Sequence, residues 1–139
     1  MSVTKGHCLC GDVSFEFSGP TNWRAHCHCE SCRRNCSAPF TTFFGVPRTA
    51  HRWTGRQPQV YCSSPGVERS FCPSCGTPMS YESTRDPDEI HLYAASLEHP
   101  ESFAPQYHDH CAEQLPWIQL GDGLPRHARS SSETQDEKQ

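Results

Sequence analysis

The chain has 139 residues, of which 34% are hydrophobic and 20% charged, and this length fits one compact domain. Twelve basic residues against 16 acidic ones give a formal net charge of −4, which argues against nucleic acid as a partner. The sequence contains no apolar run of the roughly 18–20 residues that a membrane span needs, and residues 1–7 lack the apolar stretch of a secretory signal. We therefore expect a cytoplasmic protein with no membrane partner.

Short strands separated by proline and glycine dominate the predicted secondary structure. Val13–Phe17 alternates apolar and polar residues with period two, as half-buried strands do. Further strand-like runs lie at residues 40–44, 59–61, 78–81 and 90–94. The best helical candidate, Glu30–Asn35, is too short to be stable without tertiary contacts. We predict a mainly β domain of small antiparallel sheets over residues 1–127, and a disordered tail over residues 128–139, which has no large apolar residue to anchor it.

Cysteine is the unusual residue of this chain, because ten cysteines in 139 residues, about 7%, exceed ordinary usage. Thiols inside the cell stay reduced, so clustered cysteines favour metal binding or catalysis over disulfides. Seven cysteines fall into three groups, Cys8/Cys10, Cys27/Cys29/Cys32 and Cys72/Cys75. Zinc binds sulfur at about 2.3 Å in a tetrahedron, and cysteines one or two residues apart let a single turn present two ligands. Gly11 and Gly76 directly follow two of the groups and suit a backbone that needs a positive φ.

The number of cysteines in each group suggests two different sites. The two pairs together supply four ligands, the closed arrangement of a structural zinc that would supplement a core short of apolar side chains. The triplet supplies three ligands and leaves a fourth position open, as in catalytic zinc sites. The alternatives are buried or disulfide-bonded cysteines in the pairs, and closure of the triplet site by Cys36, four residues after Cys32. Cys62 and Cys111 are expected to be ordinary buried thiols.

Charged and imidazole side chains accompany the triplet. Arg33 and Arg34 follow its last cysteine and are candidates for binding the carboxylates of an anionic substrate, the alternative being that both are solvated. His26 and His28 either shuttle protons, act as ligands or only orient their loop. The string His108–Cys111 is interpreted as a strand or loop near the site rather than as a third metal site.

Three thiolates would give a bound zinc ion a formal charge of −1, which makes it a weak electrophile. Soft donors favour a further soft ligand. The open position is therefore expected to bind a substrate thiol as thiolate and to hold it for attack on an aldehyde.

These cysteine groups resemble the glutathione-dependent formaldehyde-activating enzyme (Gfa) and centromere protein V family. The matching segments are Gly6–Gly11, Cys27–Arg34 and Arg69–Thr77, with weaker agreement at Leu97–Pro100, Trp117 and Gly121–Pro125. The resemblance implies a β-tent fold and two Zn²⁺ ions per chain. It implies a structural zinc on Cys8, Cys10, Cys72 and Cys75 and a functional zinc on Cys27, Cys29 and Cys32. The chain departs from the family pattern at Cys36, where a small residue is usual.

The activity that the resemblance implies is that of a carbon–sulfur lyase. Such an enzyme joins formaldehyde to glutathione as S-(hydroxymethyl)glutathione, or reverses this reaction, with a small thiol such as glutathione as its partner. Two other hypotheses stay open: a zinc enzyme acting on another small electrophile such as an imine, and a non-catalytic zinc module for protein interaction. The general acid or base and the oligomeric state are also open.

Overall fold

The structure is a computed structural model that describes residues 2–130. Strands dominate this part of the chain, which confirms the mainly β prediction. The strands are β1 (Val3–His7), β2 (Ser14–Ser18), β3 (Trp23–Cys27), β4 (Thr41–Pro47), β5 (His51–Trp53), β6 (Gln59–Ser64), β7 (Val67–Phe71), β8 (Pro78–Ser83), β9 (Glu89–Tyr93) and β10 (Tyr107–Asp109). Helix α1 (Glu30–Cys36) extends one residue beyond its prediction. Short 3₁₀ helices cover Arg48–Ala50, Ala94–Ser96, Pro100–Ser102 and Cys111–Glu113.

The chain divides into two compact units. Unit 1 comprises the residues up to Trp23 together with Phe44–Phe103, and unit 2 comprises Arg24–Phe43 together with the residues from Ala104 onward. None of the helices within residues 2–130 is long and apolar enough to cross a lipid bilayer.

The predicted domain boundary falls within unit 2. The backbone carbonyls of Ala128 and Arg129 accept hydrogen bonds from the N–H groups of Ala112 and His110, both at 3.1 Å. The rest of the predicted tail, residues 131–139, lies outside the described residues. The division at residue 127 stays a prediction.

Unit 1 contains two sheets and an aromatic core. One sheet has the order β1-β2-β5 with antiparallel pairing, and in the other β6, β7, β8 and β9 follow one another as antiparallel neighbours. Strand β1 crosses the ring of Phe15 at Gly6, where a Cβ atom would collide with that ring. The core is formed by Val13, Phe15, Phe17, Phe44, Val46, Met79, Ile90, Leu92, Ala94 and Leu97, together with Cys8 and Cys72.

Unit 2 is organised around strands that run parallel, where antiparallel pairing was predicted. β10 pairs with β3 in parallel, with Tyr107 opposite Ala25, His108 opposite His26 and Asp109 opposite Cys27. Parallel pairing requires a long connection, which the residues between the two strands provide. On its other side, His108 exchanges backbone hydrogen bonds of 2.8 Å with Pro125 and His127.

Candidate metal centres

Four thiols converge in unit 1, although two come from residues near the N-terminus and two from the middle of the chain. The sulfur atoms of Cys8, Cys10, Cys72 and Cys75 all lie within 4.8 Å of one another. Cys8 Sγ is 3.6 Å from Cys10 Sγ, which is 3.8 Å from Cys72 Sγ. A tetrahedron with zinc–sulfur bonds of about 2.3 Å has sulfur–sulfur edges of about 3.8 Å. These two sulfur–sulfur distances match the edges of a zinc tetrahedron, and the remaining pairs lie within 4.8 Å.

Two tight turns present these thiols. In the first turn, Gly11 donates its N–H to Cys8 O at 3.2 Å, and in the second, Gly76 donates to Cys72 O at 2.8 Å. Both glycines have positive φ, +85° and +81°, which confirms the expectation from their position after the cysteines. The left-handed conformation lets the backbone curl around the sulfur atoms, which a residue with a Cβ atom would do at a cost.

Hydrogen-bond donors surround three of the four sulfurs, those of Cys8, Cys72 and Cys75. The N–H group of Val13 points to Cys8 Sγ at 3.3 Å, and those of Ser74 and Cys75 point to Cys72 Sγ at 3.3 and 3.4 Å. The Thr77 hydroxyl, 3.1 Å from Cys75 Sγ, and neighbouring backbone N–H groups lower the pKa of Cys75 to about 5. This donor set suits thiolates that bind a metal cation.

The second cluster lies in unit 2 and combines a strand end with a helix start. Cys27 is the last residue of β3, Cys29 is the N-cap of α1, and Cys32 lies in the first turn of α1. Cys29 Sγ accepts the N–H of Cys32 at 3.3 Å, so one sulfur caps the helix and belongs to the cluster as well. The three sulfurs lie within 4.8 Å of one another. Seven residues of helix suffice because this cap and the cluster fix the first turn.

The three thiols of this cluster share their protons through hydrogen bonds, which move the pKa values of Cys27 and Cys29 in opposite directions. Hydrogen bonding to Cys27 and Cys32 lowers the pKa of Cys29, while hydrogen bonding to Cys29 and Cys32, with burial, raises the pKa of Cys27 far above its ordinary value. A divalent cation would replace these protons and compensate all three thiolates. The donor set of three soft sulfurs fits zinc.

The remaining cysteines lie outside both clusters. Cys36, at the end of α1, does not belong to the group of sulfurs within 4.8 Å, and its sulfur lies 3.9 Å from the Asn35 amide. Cys62 is exposed on β6 and Cys111 is only half-buried, so the expectation that both are buried thiols was wrong. Strand β6 is exposed along its whole length, which accounts for Cys62. All ten cysteines lie within residues 2–130, and none forms a disulfide.

The two candidate substrate-binding arginines have different surroundings. Arg33 Nε–H donates to the carbonyl of His28 at 3.1 Å and so holds the loop between the first two thiols of the cluster. Arg34 is 78% exposed and pairs at 2.7 Å with Glu30 on the preceding turn of α1. An exposed pair of this kind contributes little stability.

His28, which directly follows β3, begins a buried hydrogen-bonded chain. His28 is fully buried, its Nε2 lies 3.0 Å from His108 Nδ1, and His108 Nε2 lies 2.8 Å from Asp122 Oδ2. The sequence pattern indicates the histidines but not Asp122, because no spacing rule links an aspartate in a late loop to a strand residue. The expectation that the string His108–Cys111 borders the site is confirmed by the pairing of Asp109 with Cys27.

Known proteins resemble this chain in sequence and in fold. A family model described as "Glutathione-dependent formaldehyde-activating enzyme" matches residues 3–113. An uncharacterized lyase of Schizosaccharomyces pombe is 32% identical over 84 residues, so that the match spans 60% of this chain and 61% of that relative's length. A crystal structure of a Rhodobacter sphaeroides protein shares the fold with a TM-score of 0.58 at 19% identity, covering 88% of this chain and 98% of that one. The chain belongs to the glutathione-dependent formaldehyde-activating enzyme family.

Proposed function

We propose that this chain is a zinc-dependent carbon–sulfur lyase that forms or cleaves the adduct of a small thiol, such as glutathione, with an aldehyde such as formaldehyde. The observation that carries the proposal is the cluster of three thiols in unit 2, from which Cys36 is absent. Three protein ligands leave one position of a tetrahedral metal ion for substrate. Cys27 and Cys29 are only half-buried, so a small molecule can reach this position.

In the proposed reaction, the thiol sulfur bonds to the carbonyl carbon of the aldehyde. The carbon–oxygen double bond becomes a single bond, and the proton that leaves the thiol ends on the new hydroxyl group. The reverse reaction breaks the carbon–sulfur bond and restores both partners. A zinc ion held by the three thiolates would lower the pKa of a substrate thiol that coordinates it.

The chain's own residues hold this site in shape. Cys29 fixes its sulfur by capping α1, and Arg33 fixes the carbonyl of the loop that carries Cys27 and Cys29. Arg34, whose present partner is a solvent-exposed glutamate, is free to exchange this contact for a carboxylate of glutathione.

A matched pair of cysteine variants tests the proposal. In Cys29→Ser, we expect adduct formation from glutathione and formaldehyde, followed by NMR, to fall to the uncatalysed rate, with one zinc ion lost and the fold kept. In Cys36→Ser, we expect two zinc ions and an activity close to that of the unaltered chain, because Cys36 lies outside the cluster. Unchanged turnover in a folded Cys29→Ser variant that binds one zinc ion would overturn the proposal.

A further inference from the structure

Nitrogen and oxygen ligands form a third cluster in unit 2, made by His26, His108 and Asp122. One ligand atom of each lies within 4.8 Å of the others. The cluster follows from the register of the parallel strands, because His108 lies opposite His26 and the two rings stand 4.8 Å apart between their centroids. Neighbouring strand positions alternate between faces, so the histidines lie on the face of β3 and β10 opposite to that of Cys27 and Asp109.

Each of the two histidines has one ring nitrogen occupied by a protein partner. His26 Nδ1 lies 2.8 Å from Thr42 Oγ1, which leaves Nε2 for a ligand. His108 Nδ1 lies 3.0 Å from His28 Nε2, and its Nε2 faces Asp122, the third member of the cluster. Protein metal sites hold their histidines in this way, with the second nitrogen fixed by a neighbouring group that sets the ring orientation.

The Asp122 carboxylate likewise has one atom bonded to a group outside the cluster. Asp122 Oδ1 accepts the N–H of Leu124 at 3.1 Å, and Oδ2 lies 2.8 Å from His108 Nε2. The Leu124 N–H group and the neighbouring His108 lower the pKa of the Asp122 carboxyl, which keeps it ionised. His108 is fully buried, whereas the Asp122 side chain is one-third exposed, so the cluster is rigid on one side and accessible from solvent on the other.

We propose that His26, His108 and Asp122 form a third metal site, which binds a divalent transition ion such as Zn²⁺ or Co²⁺ through two imidazole nitrogens and one carboxylate oxygen. Two histidines and one carboxylate are a ligand set that suits ions of this class and leaves coordination positions open. The ion takes the position between His108 Nε2 and Asp122 Oδ2, so the single proton of the neutral His108 ring moves to Nδ1 and is donated to His28 Nε2, while His28 carries its own proton on Nδ1; no proton is released. The site is separate from both thiol clusters and does not depend on the lyase activity.

Cobalt provides the test, because its absorption distinguishes sulfur ligands from nitrogen and oxygen ligands. The reduced full-length protein is first loaded with two equivalents of Zn²⁺, which the softer thiolates take, and is then titrated with Co²⁺. We expect one further equivalent to bind without sulfur-to-cobalt charge-transfer absorption and to shift the ring resonances of His26 and His108 in the NMR spectrum.

Three variants and a control locate the ion. Asp122→Asn and His26→Gln should abolish the additional equivalent, and Thr42→Val should weaken it by about 10-fold, since it removes only a supporting hydrogen bond. Asp88→Asn, an exposed aspartate outside the cluster, should leave it unchanged. All variants should keep two zinc ions, and His26→Gln serves if Asp122→Asn fails to fold.

The proposal is overturned if the unaltered protein binds only two equivalents, or if the additional equivalent survives in the folded Asp122→Asn or His26→Gln variant. Retention of the additional cobalt with sulfur-to-cobalt absorption would also contradict it. A Cys29→Ser variant that loses lyase turnover but still binds the additional cobalt equivalent would show that the third site exists independently of the proposed function.

Discussion

Arg33 and Arg34 illustrate how neighbouring side chains on a short helix acquire different roles. From sequence, both are candidates for binding an anionic substrate, because both follow the last cysteine of the triplet. In the structure, the guanidinium of Arg33 holds the carbonyl of His28, while that of Arg34 is exposed and contacts Glu30. No spacing rule separates these roles, since the helix turns the two side chains in different directions.

Alanine variants of the two arginines should therefore differ. Arg34→Ala should raise the KM for glutathione by about 10-fold with kcat unchanged, since one charge-assisted contact to substrate is lost. Arg33→Ala should instead weaken zinc retention at the three-thiol cluster by about 10-fold in competition with a chelator. An Arg34→Ala variant with an unaltered KM would contradict the role of Arg34.

The lowered pKa of Glu89 makes the stability of the folded chain depend on pH. Burial acts to raise its pKa, but hydrogen bonds from His91, Asn22 and Trp23 outweigh burial and lower that pKa to about 2, from an ordinary value of 4.5. A lowered pKa in the folded state means that this stabilisation is present above pH 4.5 and disappears as the pH falls toward 2. The free energy of unfolding of the unaltered chain should exceed that of Glu89→Gln at pH 6.

The difference in unfolding free energy between these two proteins should shrink as the pH falls from about 5 toward 2. Urea titrations at several pH values measure it, with Glu101→Gln, an exposed glutamate, as the control that should show no such trend. A constant difference across this range would mean that Glu89 does not contribute through its charge.

At the scale of elements, the sequence predicts those that carry a clear local pattern. The five predicted strand runs correspond to β2, β4, β6, β8 and β9, and α1 lies within one residue of its prediction. The strands that were missed lack that pattern. β1 contains Gly6, where the ring of Phe15 leaves no room for a Cβ atom. β7 buries the polar residues Arg69 and Ser70. β5 and β10 have three residues each and exist only through pairing with distant strands.

The turn around the second cysteine pair gives a prediction at this scale. Gly76 has φ +81°, and a Cβ atom there would meet nothing within 4 Å. Gly76→Ala should therefore cost about 1–2 kcal/mol of stability through backbone strain alone and should weaken zinc binding by the four-thiol cluster. Gly121→Ala is the matched control, because Gly121 has equal space without a positive φ. Equal stability of the two variants in chemical unfolding would contradict this reasoning.

At the scale of the whole molecule, cysteine spacing predicted both thiol clusters because ligands close in sequence share a turn. The core of unit 1 is built on few apolar side chains and includes Cys8 and Cys72 of the four-thiol cluster. The cluster of His26, His108 and Asp122 could not be predicted, because parallel pairing and a late loop bring its members together. The spacing of residues in the sequence identifies ligands that share a turn, whereas ligands from distant segments come together only in the fold.

The central claim is that the three-thiol cluster binds zinc with one position open to a substrate thiol. X-ray absorption at the zinc edge tests it most directly, on protein holding two zinc ions in a thiol-free reducing buffer. The clusters of four and three thiols predict seven sulfur ligands for two zinc ions, rising to eight with saturating glutathione. Eight sulfur ligands before glutathione is added, or seven after saturation, would contradict the account.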